Sequence, residues 1–558
     1  MASSATPDRR TLLKTIGAGA AGAALVVPLA GCRPGTAAAV GSSTVPTGAA
    51  SPSTVPPSPL PSAPEMQVPP LLDRAKVDNA LSRLDGSVRH AMEQTGVPGI
   101  AVAVVYHDEV LHAQGYGVRK AGEAATVDAD TVFQLASVSK PLASTVVAGV
   151  VGRGKAQWSD PVIRHNPAFA LKDPYVTQNA TFEDLMSHRS GLHTGAGDLL
   201  EDLGFDRDYI LAHLNQQPLD PFRDTYHYSN FGYTEGGQAA ADAMGMAWED
   251  LADEILFKPA GMASSTYRHA DYEKASNKAL IHVPVGNRKW EARYVRDADA
   301  EAPAGGASSS VRDLAQWIRL QLANGRHDGR QLINEQALLA THVPESVTGP
   351  PPTPLARTSF YGLGWNVTYD AQARLQLGHS GAFNLGAATV VMMLPGEQLG
   401  IVVLTNGRPQ GIPEAIAAQF FDTAQNGEPT VDWLTFTAAV FQQIEDADAP
   451  AVDYSKVPAA PRAAQALDTY AGTYANSYYG PLVVAADQGR LAMTLGPEGR
   501  PTTFQLTHFD GDTFSFETIG ENANGLAGAI FAPGSGGQAG SVRLDFYDST
   551  GLGTFTRS

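Results

Sequence analysis

Between residues 76 and 95 apolar side chains recur at steps of three and four (Val77, Leu81, Leu84, Val88, Met92), one stripe of an amphipathic helix. Two strand-like runs follow, 99–106 and 110–116, and the polar triplet His107-Asp108-Glu109 between them predicts a hairpin. Residues 131–135 read as an extended apolar approach, and 141–151 as a buried helix that stops at Gly152 and Gly154. More than two hundred residues after the hairpin, strand-like runs return at 374–377, 386–394 and 399–404, and 413–424 predicts a closing helix. The intervening sequence is mostly helical and loop-rich. A chain that begins a sheet, leaves it and returns to finish it predicts an α+β domain: one antiparallel sheet flanked by helices, a helical subdomain, and a cleft between them.

From about residue 466 the pattern changes to short runs, 470–474, 482–484, 491–495, 504–506, 514–516 and 542–546, punctuated by turns such as Gln488-Gly489 and Asp510-Gly511-Asp512. This predicts a small all-β, barrel-like domain over 466–558, joined by a linker at 429–465 to a body spanning 72–428.

The N-terminus reads as an address. Arg9-Arg10 lie in a basic stretch ahead of a Gly/Ala-rich, mildly apolar run at 16–29, too short to remain as a membrane span, and the whole resembles a twin-arginine export signal. Cys32, the only cysteine, ends Leu29-Ala30-Gly31-Cys32, which resembles a lipobox whose cysteine becomes the acylated first residue of the mature protein, closing a signal segment read as 1–32. Residues 33–71, rich in Ala, Ser, Thr and Pro, bury too little apolar surface to offset chain entropy and read as a disordered tether. The expectation is an exported, periplasmic or cell-envelope lipoprotein that meets the membrane only through its anchor.

At 558 residues and 43% hydrophobic composition the chain exceeds one typical domain. A formal charge of −18 excludes nucleic acid and an anionic membrane surface as partners of the folded part, both of which require a basic patch. One cysteine excludes an intramolecular disulfide.

Three short stretches carry chemistry. Ser137-Val138-Ser139-Lys140 sets a hydroxyl and an amine one turn apart at a helix start, where unpaired N–H groups favour negative charge. A serine is a weak nucleophile until a neighbour takes its proton, and a desolvated Lys140 can do so. Tyr228-Ser229-Asn230 offers a phenol, whose ionisation an adjacent ammonium would ease, and an amide that can orient base and substrate. Gly378-His379-Ser380-Gly381-Ala382 sits between two strand-like runs, where an edge strand can lend an N–H to an oxyanion and glycine permits close approach. The last pentad nearly satisfies the nucleophile elbow of α/β-hydrolases, but that elbow needs a following helix and 385–394 reads as a strand. Asp184 and Asp313 read as structural residues, and no His/Cys/Asp spacing suggests a metal or cofactor.

In this order and spacing the three stretches resemble the serine β-lactamase and penicillin-binding superfamily, in its class C-like branch. Secondary signatures at 181–192, 304–314 and 361–365 strengthen the resemblance, which covers roughly 72–428. It implies an acyl-enzyme on Ser137, with Lys140 and Tyr228 handling the proton. It also implies an oxyanion held by the N–H groups of Ser137 and Ala382, substrate oriented by Asn230, and His379 with Gly381 facing the substrate. The third motif departs from true β-lactamases, which carry a permanent lysine cation where His379 stands. The resemblance therefore implies an esterase or D-amino-acid peptidase acting on a small-molecule or peptide substrate, ahead of a weak β-lactamase or D,D-carboxypeptidase. A catalytically silent, lipid-anchored binding protein of the same fold is the alternative of another class. The trailing β domain resembles the lipocalin-like domain appended to such hydrolases, which implies packing beside the cleft, a homo-oligomer, or both.

Overall fold

Helix α1 (Arg74–Thr95) starts at Asp73, whose carboxylate accepts from the Lys76 N–H, and ends at Gly96, whose φ of +73° a side chain would disfavour. The computed structural model describes residues 70–558 apart from Pro352 and Gln488. The export signal, Cys32 and all but the last two residues of the tether lie outside the described residues. Among them no helix is long and apolar enough to cross a membrane.

The hairpin forms as β1 (Gly99–Tyr106) and β2 (Glu109–Gly117). The later strands are β3 (Ser346–Val347), β4 (Phe360–Tyr361), β5 (Asn366–Tyr369), β6 (Leu375–Phe383), β7 (Ala387–Leu394) and β8 (Leu399–Thr405). They close one antiparallel sheet in the order β2-β1-β8-β7-β6-β5-β4-β3. Val102 opposite Val403 joins the early and late parts of the chain at its centre.

Strand β1 is apolar throughout because both its faces are covered. Ile100, Val102 and Val104 pack with α1 and helix α5 (Ile412–Asn426), whereas Ala101, Ala103 and Val105 pack with the helical side. That side carries α2 (Ser139–Gly152), α3 (Asn230–Met244) and α4 (Val311–Leu322).

Two departures from the sequence reading bear on the site. The pentad 378–382 lies inside β6 rather than between strands, because pairing with β7 runs unbroken from Leu377 opposite Met393 to Phe383 opposite Ala387. Pairing of β6 with β5 ends at Gly378, so residues 379–383 form a free edge. The segment read as a linker contains a helix, α6 (Trp433–Ala447), held to α5 by Trp433 Nε1 donating to Asp422 (2.8 Å) and Thr437 Oγ1 donating to Gly411 O (2.9 Å).

The C-terminal domain is a closed barrel of eight strands between Gly472 and Arg557. Six were expected; Leu526–Pro533 and Thr554–Arg557 complete it. The barrel packs on the body at the cleft. Asp202 accepts from the Glu521 N–H (2.7 Å) and the Asn522 side chain (2.6 Å), and the Tyr209 hydroxyl donates to Tyr478 O (3.1 Å).

Helix α3, which carries Asn230 in its first turn, also buries a carboxyl. Glu235 is 1% exposed and accepts from Asn166 (2.7 Å), and burial pushes it up to about 7. A carboxyl whose folded-state value is raised contributes most at low pH, and that contribution is lost as pH rises from about 4.5 through about 7. Glutamine does not titrate. Glu235→Gln is therefore expected to gain about 2–3 kcal/mol on its parent between pH 5 and pH 8, read as the difference between their urea midpoints.

Candidate active site

The turn that presents Ser137 is fastened on both sides. Phe133–Gln134 pairs with Ser308–Ser309, the Leu135 N–H donates to Ala307 O (2.9 Å), and Leu135 O accepts from Thr389 of β7 (2.7 Å). Ala136 then takes a φ of +48°, a left-handed conformation that its Cβ disfavours and that these bonds hold in place. Residues Ala136–Val138 form one 3₁₀ turn leading into α2, so Ser137 stands at the helix start. Two buried phenols brace that start: Tyr267 donates to Ser139 O (2.8 Å) and Tyr233 to Lys140 O (2.7 Å).

Lys140 is fully buried and donates to three oxygens: Ser137 Oγ (3.3 Å), Asn230 Oδ1 (2.8 Å) and Ala304 O (2.9 Å). Asn230 is fixed in turn by donating to Asp198 (3.1 Å), and Ser229 caps α3 through the Gly232 N–H. The Tyr228 hydroxyl faces Ser137, while Lys140 Nζ lies over the phenol face, 4.5 Å from the ring centroid. Burial holds the phenol well above its ordinary value, although its contact with Ser137 works the other way. Burial thus outweighs the favourable contacts of the phenol and keeps Tyr228 in its neutral form.

His379 also differs from expectation. It is 1% exposed, its Nε2 bonded to the Tyr361 hydroxyl (2.9 Å) and its Nδ1 to Ser380 O (2.7 Å), in an aromatic cluster with His188 and Tyr228. It stands behind the phenol rather than on the cavity wall. Gly381 lies on the same face of β6, so close to Ser137 that a Cβ built there would be 3.1 Å from Ser137 N. Ala382 follows on the free edge and lines the cavity.

That cavity holds about 400 Å³ and is lined by Ser137, Tyr228, Asn230, Ser380 and Ala382 of the body, and by Asn522 and Phe546 of the barrel. Its side wall is charged: Arg296 Nη2 bridges Glu201 (2.7 Å) and Glu301 (2.8 Å). Burial and Glu301 push Glu201 well above the usual carboxylate range, and Arg296 offsets only part of this. Among the described residues no cluster of three or more His, Cys, Asp or Glu could hold a metal.

The secondary signatures acquire physical roles. Thr181 and Asp184 make a capping box, and Asp184 pairs with Arg189 and Arg223 (both 2.8 Å). Ala304 supplies the carbonyl to Lys140, and Tyr361 the hydroxyl to His379. Asp313 accepts from the Ser264 N–H (2.7 Å), in keeping with its structural reading. Sequence reasoning missed Glu414, Asn522 and Phe546, because short-range patterns do not place α5 or the barrel loops at the cleft.

The beta-lactamase family model matches residues 84–421, and a domain of unknown function (DUF3471) matches 456–553. Penicillin-binding protein 4 of Amycolatopsis lactamdurans is 28% identical over 333 residues, 58% of this chain and 83% of that protein. Unguisins hydrolase ungD of Aspergillus violaceofuscus is 26% identical over 504 residues, 82% of this chain and 87% of that protein. The octameric penicillin-binding protein homologue from Pyrococcus abyssi superposes with a TM-score of 0.54 at 17% identity, over 86% of this chain and all (100%) of that one, a likeness of fold. A family match across most of the body, on a fold that brings lysine and phenol to one serine hydroxyl, means that this chain belongs to the beta-lactamase family of serine hydrolases.

Proposed function

We propose that the chain hydrolyses an ester or peptide bond through an acyl-enzyme on Ser137. The observation that carries this reading is Lys140 Nζ at 3.3 Å from Ser137 Oγ, with the Tyr228 hydroxyl facing the same oxygen. With Lys140 acting as the neutral amine, Ser137 Oγ attacks the carbonyl carbon as its proton passes to Nζ; the neutral Tyr228 phenol then gives its proton to the departing alcohol or amine and is reprotonated from Lys140. Water then attacks the ester carbonyl, and Ser137 leaves with a proton returned by the same pair. The backbone N–H groups of Ser137 and Ala382 receive the oxyanion, each worth about 3 kcal/mol in comparable sites. Asn230 orients Lys140, and His379 acts as a positioning residue behind Tyr228.

An ester or peptide donor is favoured over a β-lactam because His379, buried behind Tyr228, stands where β-lactamases carry the lysine cation that holds the carboxylate of a β-lactam. Export through the twin-arginine signal and anchoring at Cys32 belong to the same reading, supported by Arg9-Arg10 and by the position of the sole cysteine. Self-association joins it on the likeness to a homologue described as octameric.

Incubation with a fluorophosphonate tests the reading. The expected result is one stoichiometric adduct on the peptide carrying Ser137, formed before thermal unfolding. A folded protein that takes up no label is the binding protein instead, and an adduct elsewhere removes Ser137 from the chemistry.

A further inference from the structure

Strand β6 ends, just past Ala382, in a turn that the barrel holds. Residues 383–386 join β6 to β7, and the Gly386 N–H closes the turn by donating to Phe383 O (2.9 Å). The two central N–H groups, of Asn384 and Leu385, lie beyond the ladder between the strands. Both donate instead to the carboxyl of Glu521, a barrel residue, Leu385 at 3.4 Å. The Asn384 side chain returns the contact by donating to Glu521 O (3.0 Å), and the Glu521 N–H donates to Asp202 of the body (2.7 Å). Burial pushes the Glu521 carboxyl up to about 7, while Arg296 and the two N–H groups pull the other way. Even in the neutral acid its carbonyl oxygen still accepts.

This tie lies where the sheet leaves β6 unsupported. Pairing with β5 stops at Gly378, so residues 379–383 are held by β7 alone, and Ala382 is two residues from Asn384. The turn also packs beside the nucleophile, since Phe383 and Leu385 share an apolar cluster with Ala136, whose left-handed backbone precedes Ser137. A donor stabilises an oxyanion only as far as it already stands in place when the charge develops, so an edge free to swing on one side would lose much of that effect. Docking of the barrel has separate contacts elsewhere, such as Gln216 Nε2 donating to Ser477 O (2.9 Å).

We propose that Glu521 is a positioning residue for the reaction: from the barrel it fixes the β6–β7 turn, and through that turn the Ala382 N–H, at the oxyanion position. The proposal rests on the hydrolase reading and deepens it, making the barrel a working part of the oxyanion site.

The test compares p-nitrophenyl butanoate with its thiono analogue, in which a weakly accepting sulfur replaces the carbonyl oxygen, both corrected for spontaneous hydrolysis. In Glu521→Ala, kcat/KM on the oxo ester is expected to fall at least about tenfold, through kcat more than KM, and on the thiono ester by no more than about threefold. The oxo-to-thiono ratio therefore drops. Gln216→Ala, which loosens the barrel away from the turn, is expected to leave that ratio unchanged. If Glu521→Ala does not fold, Glu521→Asp, whose carboxyl is one methylene short of the turn, decides by the same ratio. An oxo-ester rate within about threefold of the parent, both esters slowed equally, or a ratio that falls as far in Gln216→Ala overturns the positioning role and leaves the hydrolase standing. Turnover of neither ester by the parent, with no fluorophosphonate adduct on Ser137, overturns both.

Discussion

Lys140→Met is expected to lower kcat on an activated ester by about a thousandfold, within the range of about 10²–10⁴ typical of a positioned proton carrier. The side chain fills similar volume but cannot accept the Ser137 proton, and no other amine approaches that hydroxyl among the described residues. The replacement also orphans Asn230 Oδ1 and Ala304 O, each a cost of about 1–3 kcal/mol, so some loss of stability accompanies it. Two measurements separate the effects: kcat well below the unfolding temperature, and the melting temperature itself. Because serine and lysine act as a unit, Ser137→Ala should fall to the same background, and the double variant should be no slower than Ser137→Ala alone. A Lys140→Met enzyme within threefold of its parent would remove this residue from the chemistry.

How much of this was legible from sequence depends on the range of the forces involved. Helix α1, the β1–β2 hairpin and α5 follow from local periodicity, and the return of the chain to its sheet from apolar runs that could pair only with one another. The meeting of Ser137, Lys140 and Asn230 was legible through motif order, because each motif lies at a helix start or strand edge that fixes its direction. What escaped is set by distant contacts. The phenol of Tyr228 answers to its burial among His188 and Tyr361, which are far off in sequence. His379 is held off the cavity wall by its bond to the Tyr361 hydroxyl. Helix α6 hid in a segment with polar flanks, and the strand Leu526–Pro533, rich in Ala and Gly, lacks the β-branched signal that marks its neighbours. The barrel's place at the cleft hangs on single polar contacts, such as Asp202 with Asn522, which no periodicity announces.

Gly381→Ala carries the second large effect, and its origin is steric rather than chemical. A Cβ at this position would stand 2.1 Å from Leu135 O and 2.2 Å from Thr389 Oγ1, far inside contact distance. Neither atom can easily retreat. Leu135 O is bonded to that same threonine hydroxyl (2.7 Å), and the next residue is Ala136 with its φ of +48°. The free edge of β6 must therefore move away from Ser137, since beyond Gly378 no β5 pairing holds it on the outer side. That movement withdraws Ala382 from the oxyanion position while Ser137, Lys140 and Tyr228 keep their places. Loss of one such donor costs about 10²–10³ in kcat, and overpacking adds about 1–3 kcal/mol of instability. The signature that distinguishes the mechanism is a kcat reduced at least about a hundredfold in a protein that still melts cooperatively and still holds Lys140 against Ser137. A Gly381→Ala enzyme with kcat within threefold of the parent would mean that the β6 edge contributes no donor to the transition state.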